Sequence, residues 1–287
     1  TYMKCRLPIN IYSVLSVLFL ILLIASVDCS RKGNKQKYNS DLIHIASFVS
    51  ENPLRALDSL QCVDQDKLSN CDRHFYDYIT IKAKDKAFIR HTSDSLILDV
   101  LGYYSDYPDA PIYTEALYYA GRVYSDLGDL STALQYFQLS LDNLEETKDT
   151  TKLQNRLNFQ IGGVLRKLRL YDKAIPYFSQ ALKYELEEND SSGIVYAQQA
   201  LGTLYHELGV LQNENAMEER YLEIADSILT CSLDYAANLS KSFAADSKVF
   251  LSGVKQAKGD IHSALNLVRD TPEQGFFLFT IQKILPA

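Results

Sequence analysis

The chain has 287 residues, of which 47% are hydrophobic and 23% are charged, and its formal net charge is −7. This composition is typical of a folded globular chain of one or two domains. Its 12 Gly and 7 Pro are too few for a loop-rich all-β protein, so helices are favoured. The negative charge and the lack of clustered Lys and Arg argue against binding to nucleic acid.

The first residues differ from the rest of the chain. After Lys4 and Arg6, nineteen residues without a charge run from Ile9 to Val27. A stretch of this length can span a bilayer and also fits the apolar region of an export signal. We therefore interpret residues 1–29 as a signal peptide or membrane anchor. This predicts a membrane-anchored protein of the cell envelope that faces the periplasm or the cell exterior.

The end of the apolar stretch, IASVDC, resembles the processing site of a bacterial lipoprotein. The resemblance implies that Cys29 is lipidated and becomes the first residue of the mature protein. Asp28 stands where such sites prefer Gly, Ala or Ser, so an uncleaved anchor helix is the alternative.

The next segments read as helices. We expect a linker and a first helix over residues 30–50 and divergent helical repeats over residues 51–112. Pro53, at the start of NPLRALDSL, suits the first turn of a helix, and Pro108 and Pro111 mark the end of another.

Two similar sequence segments, which we call the repeated phrase, then follow: YSDLGDLSTALQYFQLSL from Tyr124 to Leu141 and LRKLRLYDKAIPYFSQAL from Leu165 to Leu182. Alignment places each of the following residues of the first phrase opposite its counterpart in the second: Ala133 and Ala174, Tyr136 and Tyr177, Phe137 and Phe178, and, upstream, Gly121 and Gly162. The period and the apolar spacing predict a pair of antiparallel helices in each copy, with small residues where the two backbones approach. Each pair leaves an apolar face that the next pair must bury.

Two further copies are weaker. Gly128 and Ala133 are five residues apart in the first copy, whereas Gly209 and Ala225 are sixteen apart in the third, so residues are inserted there. The fourth copy has Ser252 at the Gly121 position. We place units near 114–147, 155–188, 195–238 with an insertion at 210–221, and 245–271, within an array over 113–268. The hydrophobic C-terminal segment, 269–287, either docks back or marks a truncated sequence.

This pattern resembles the tetratricopeptide repeat, and the order of leader, divergent helices and clear repeats resembles bacterial exported tetratricopeptide proteins, some of which are sensory halves of membrane regulators. The resemblance implies an all-α fold, an α-solenoid of stacked antiparallel helix pairs that follows the hydrophobic leader. It also implies that the first helix of each unit lines a concave groove through its second, fifth, ninth, twelfth and thirteenth positions. Candidate groove residues are Tyr118, Arg122, Asp126, Arg156, Phe159, Arg166, Lys167, Tyr196, Gln199, Thr203 and His206.

The three arginines in this set predict a basic middle of the groove and a partner segment that carries carboxylates. The five His lie in no metal-ligand or catalytic motif, and no nucleotide-binding or hydrolase motif is present. We therefore expect no enzyme activity, cofactor or metal.

The predicted function is that of a protein-protein interaction scaffold, exported and tethered to the membrane by its leader or a lipid. We expect it to bind a protein or peptide in its groove. One form of this function is the sensory part of a regulator. The alternative is a nutrient- or glycan-binding surface lipoprotein, against which the absence of Trp counts.

Overall fold

The chain folds as a linear array of antiparallel helices. The structure, a computed structural model, describes residues 38–107, 111–144, 148–211 and 215–269. These residues form twelve α-helices and a short 3₁₀ turn, Gln65–Lys67, with no β-strand among them. The helices are α1 (Ser40–Phe48), α2 (Pro53–Gln61), α3 (Asn70–Lys86), α4 (Ser95–Tyr104), α5 (Pro111–Leu127), α6 (Leu130–Asp142), α7 (Lys148–Lys167), α8 (Tyr171–Glu188), α9 (Ser191–Leu211), α10 (Asn215–Ala237), α11 (Lys241–Ala257) and α12 (Ile261–Val268).

Local sequence signals account for many helix ends. Side chains of Ser69, Asp129, Ser240 and Asp260 each accept a hydrogen bond from a backbone N–H in the first turn of the following helix. Pro53 occupies the first position of α2, as expected from the sequence. Gly128 ends the first helix of its pair with a φ of 88°, a conformation that glycine adopts without steric cost.

The small residues of the repeated phrase lie where paired helices cross, as predicted. A Cβ on Gly121 would overlap the ring of Phe137, and one on Gly162 would lie 3.0 Å from the ring of Phe178. Ala133 and Ala174, on the second helix of each pair, are fully buried. A core of buried apolar residues runs from Leu42 to Leu204. The predicted all-α solenoid is therefore confirmed.

The predicted insertion and the two ends of the chain differ from the regular helix pairs or lie outside the described residues. Residues 210–221, interpreted as an insertion, mostly lie within helices, because α9 runs on to Leu211 and α10 begins at Asn215. The extra residues therefore lengthen one helix pair, although 212–214 lie outside the described residues. The leader with Cys29, and the C-terminal segment from residue 270 onwards, also lie outside the described residues.

Candidate functional site on the inner face

The odd-numbered helices form one layer of the array. Besides consecutive helices, direct contacts join α1 to α3, α3 to α5, α5 to α7 and α9 to α11. In a curved two-layer array, the helices of the concave layer approach one another more closely than those of the convex layer. We therefore define the inner face as the surface of α1, α3, α5, α7, α9 and α11, which includes the three helices that carry the predicted groove residues.

A cluster around Glu115 ties three helices of this face together. The Glu115 carboxylate on α5 accepts from Lys82 Nζ of α3 at 3.1 Å and from Arg156 Nη2 of α7 at 3.0 Å. The hydroxyl of Tyr78 donates to the same carboxylate. Burial alone would raise the pKa of Glu115, but the charges of Lys82 and Arg156 hold it below its ordinary value. Glu115 is therefore ionised at neutral pH.

Arg122 is held in a second bridge across the same helices. Its Nε donates to Asp85 Oδ1 of α3 at 2.6 Å, and its Nη1 donates to Gln160 Oε1 of α7 at 2.8 Å. Only 7% of the Asp85 side chain is exposed, so this carboxylate has little access to solvent and is paired with Arg122. The guanidinium of Arg122 is occupied within the protein.

These bridges show that predicted groove arginines have partners within the protein. Arg122 and Arg156, two of its three arginines, are each paired with a carboxylate, and Arg166 lies 4.0 Å from Glu207. The repeat register itself placed Glu115 at the second position of its unit and Glu207 at the thirteenth. Both acids thus occupy groove positions, although neither was among the candidate groove residues.

Three other predicted residues have structural roles. Tyr118 is buried beneath the guanidinium of Arg156, whose central carbon lies 4.8 Å from the ring centre. Gln199 is buried and donates to Ser247 Oγ at 2.9 Å. Asp126 accepts from the backbone N–H of His91 at 2.9 Å. These contacts leave little of Tyr118 or Gln199 for a partner.

The exposed part of the inner face lies on α7, α9 and α11. Tyr196 is 56% exposed, and its ring meets the half-buried Phe243 edge to face, with ring centres 5.1 Å apart. Phe250, two turns beyond Phe243 on α11, is 37% exposed. The remaining predicted residues of α7 and α9 are half-buried or exposed, namely Phe159, Arg166, Lys167, Thr203 and His206.

Phe243 and Phe250 were missed by the sequence interpretation. The fourth unit keeps too few of the repeated residues for its inner-face positions to be assigned by the same repeat alignment. Phe243 also precedes the start assigned to that unit, so only the contact with Tyr196 reveals it.

Neither a metal site nor a membrane span is seen in the part of the chain that the structure describes. No group of His, Cys, Asp and Glu there could hold a metal ion. Burial lowers the pKa of His206, which keeps its ring neutral at physiological pH. Cys62, Cys71 and Cys231 are free thiols. Among the same described residues, every helix is too short or too polar to cross a membrane.

Comparison with known proteins supports the repeat assignment. The family model of the tetratricopeptide repeat matches residues 156–187. No curated protein sequence matches the chain.

Several solved structures share the fold. BtubC (BKLC) from P. vanneervenii is 14% identical, with 87% of this chain and 95% of that chain covered and a TM-score of 0.54. The apo form of RapI is 14% identical, with 93% and 72% covered and a TM-score of 0.57. A Rap protein complexed with competence and sporulation factor is 12% identical, with 85% and 65% covered and a TM-score of 0.59.

At these identities the likeness is one of fold. Together with the matched repeat, it agrees with the helix pairs and the small-residue crossings described above. The chain contains a tetratricopeptide repeat at residues 156–187 and has a helical solenoid fold.

Proposed function

We propose that the chain is a non-catalytic scaffold that binds a segment of a partner protein on its inner face. The observation that carries this proposal is an aromatic surface made of the exposed Tyr196 and Phe250 and the half-buried Phe243. Aromatic side chains of this kind supply large contact area at protein interfaces, because they bury much apolar surface and lose little rotamer freedom. The paired charges around Glu115 and Arg122 brace the helices beside it.

The structural comparison is consistent with this function. One protein of similar fold, a Rap protein, was solved in complex with competence and sporulation factor. An array of this architecture can therefore hold a bound partner, and in this chain the inner face of α7, α9 and α11 offers the exposed surface for one.

Photo-crosslinking tests the proposal. A photoreactive phenylalanine analogue is placed in the full chain at Tyr196, and in a second variant at Leu139, which is 47% exposed on the even-numbered helix α6. We expect covalent protein adducts in cells from position 196 and few from position 139, as measured by gel shift and mass spectrometry. Equal adducts from both positions would contradict the proposal, and glycan binding without any adduct from position 196 would favour the glycan-binding alternative.

We further propose that the protein is exported and tethered to the membrane of the cell envelope, and that partner binding gives it a sensory role in a membrane regulator. The support is the uncharged stretch from Ile9 to Val27 and the lipoprotein-like residues around Cys29.

The tether has its own test. If Cys29 is lipidated after cleavage, Cys29→Ala should retain the leader. Mass spectrometry of the membrane and soluble fractions measures both the mass of the chain and its location. A wild-type chain that keeps residues 1–28 would show an uncleaved anchor, and a wild-type chain found only in the soluble fraction would contradict tethering.

A further inference from the structure

Most clustered cations of the described residues gather around a carboxylate. Lys82 and Arg156 share Glu115, and at the other end of the array Lys255 and Lys258 both lie 2.9 Å from Asp226. The turn between α7 and α8 carries four cations that lie close together in sequence, beside one carboxylate, Asp172. Its cations are Arg166, Lys167, Arg169 and Lys173. Arg166 approaches Glu207 only at 4.0 Å, and the other three side chains form no ion pair within the described residues.

Exposed apolar side chains surround these cations. Leu170 in the same turn is 40% exposed, and Val210 and Leu211 at the end of α9 are 57% and 50% exposed. The turn and the end of α9 are neighbours, because Glu207, one helical turn before Leu211, lies 4.0 Å from Arg166. The positive charge of Arg169 also acts to lower the pKa of Glu207. We call these seven residues the turn patch: Arg166, Lys167, Leu170, Arg169, Lys173, Val210 and Leu211.

Helix electrostatics explains only part of the charge. Arg166 and Lys167 lie in the last turn of α7, where cations are favoured by the helix dipole. Lys173 lies in the first turn of α8, where the same effect disfavours a cation. The cluster is therefore larger than the helices require.

Arg169 also adopts a costly backbone conformation. Its φ is 59°, in the left-handed region that favours glycine. At the equivalent turns of the first and fourth units this position is held by Gly128 and Gly259, which have φ values of 88° and 80°. The chain thus keeps an exposed arginine where two of its own repeats use glycine.

We propose that the turn patch binds an acidic, apolar segment of the partner protein. This inference rests on the proposed scaffold function and adds the chemistry of the partner and a second contact region at the edge of the array. Arginine binds carboxylates with bidentate geometry, and the exposed Leu and Val side chains supply apolar contact. The chain as a whole carries a charge of −7, so a cluster of four cations is a locally basic site on an acidic protein and attracts an acidic segment.

The probe is an array of twelve-residue synthetic peptides with four compositions: Leu with Glu, Leu with Lys, Ser with Glu, and Ser with Lys. Full-length wild-type chain is compared with the triple variant Lys167→Glu, Arg169→Glu, Lys173→Glu. The matched control is Lys183→Glu, Arg220→Glu, Lys241→Glu, which reverses three exposed cations outside the patch and has the same net charge. A third variant, Arg169→Gly, removes one charge and relieves the backbone strain.

We expect wild type and the control to bind the Leu and Glu peptides best, and the patch triple to bind them at least about tenfold more weakly, because each exposed ion pair contributes modestly and three are reversed. Arg169→Gly should melt at a higher temperature than wild type and yet bind these peptides more weakly. That combination separates binding from folding.

Three results would overturn the inference. They are a preference for Lys peptides, equal binding by the patch triple and the control, and binding of none of the four compositions. A fourth would be patch-dependent binding to vesicles of phosphatidylcholine and phosphatidylserine without peptide binding, which would make the patch a lipid contact. None of these results changes the crosslinking expected from position 196, so failure of this inference is distinguishable from failure of the scaffold function.

Discussion

Glu115→Ala should lower the free energy of unfolding by roughly 3 kcal/mol, because it leaves two partly buried cations, Lys82 and Arg156, without their shared carboxylate. The variant also frees the hydroxyl of Tyr78, which donates to Glu115 in the wild type. Urea denaturation followed by circular dichroism measures the change. The matched control is Glu187→Ala, which breaks an exposed pair with Lys183 at 3.9 Å and should cost less than about 0.5 kcal/mol.

The same residue predicts a pH dependence. The pKa of Glu115 is lowered in the folded state, so its stabilising effect is complete above its ordinary value of 4.5 and is lost as the pH falls through the lowered value. Stability of the wild type should therefore fall more steeply in acid than that of Glu115→Gln. Glu185 has the opposite sign, since burial raises its pKa, and its protonation in acid favours the folded state. Parallel acid curves for wild type and Glu115→Gln would contradict the assigned ion pairs.

The second large effect concerns the crossing of α5 and α6. Phe137 is fully buried against Gly121, and Phe137→Ala should cost about 3–5 kcal/mol through lost burial and a cavity. Gly121→Leu should cost about 1–3 kcal/mol or more, because its side chain would occupy the space of the Phe137 ring.

The double variant Gly121→Leu, Phe137→Ala tests the register directly. The new leucine enters the space that the ring vacates, so the double variant should be at least about 1 kcal/mol more stable than the sum of the single changes predicts. Strict additivity of the two changes in unfolding free energy would mean that these side chains do not meet.

The sequence predicted those parts of the fold that repeat. Gly121 and Phe137 are sixteen residues apart, and Gly162 and Phe178 have the same separation. The contact within each pair can therefore be predicted from the repeat. The class of fold and the crossing of paired helices follow from that period and from elementary packing.

The candidate site was only partly predictable, because its decisive contacts are not periodic. Glu115 contacts Lys82 and Arg156, which are 33 and 41 residues away in sequence. The residue spacing within one unit does not predict such pairs. Tyr196 was identified from its repeat position, but its exposure and its contact with Phe243 depend on how α9 and α11 lie together. Ion pairs between units therefore occupy Arg122 and Arg156, which the sequence analysis assigned to partner binding.

Hydroxyl-radical footprinting of the full chain, with and without the partner captured through position 196, tests the central claim that the inner face binds. Labelling of Tyr196, Phe243 and Phe250 should fall when the partner is bound. Labelling of Leu139 and Leu186, exposed on the even-numbered helices α6 and α8, should stay unchanged. Unchanged labelling of the three aromatic residues, with protection of Leu139 and Leu186 instead, would contradict the account and place the partner on the opposite layer of the solenoid.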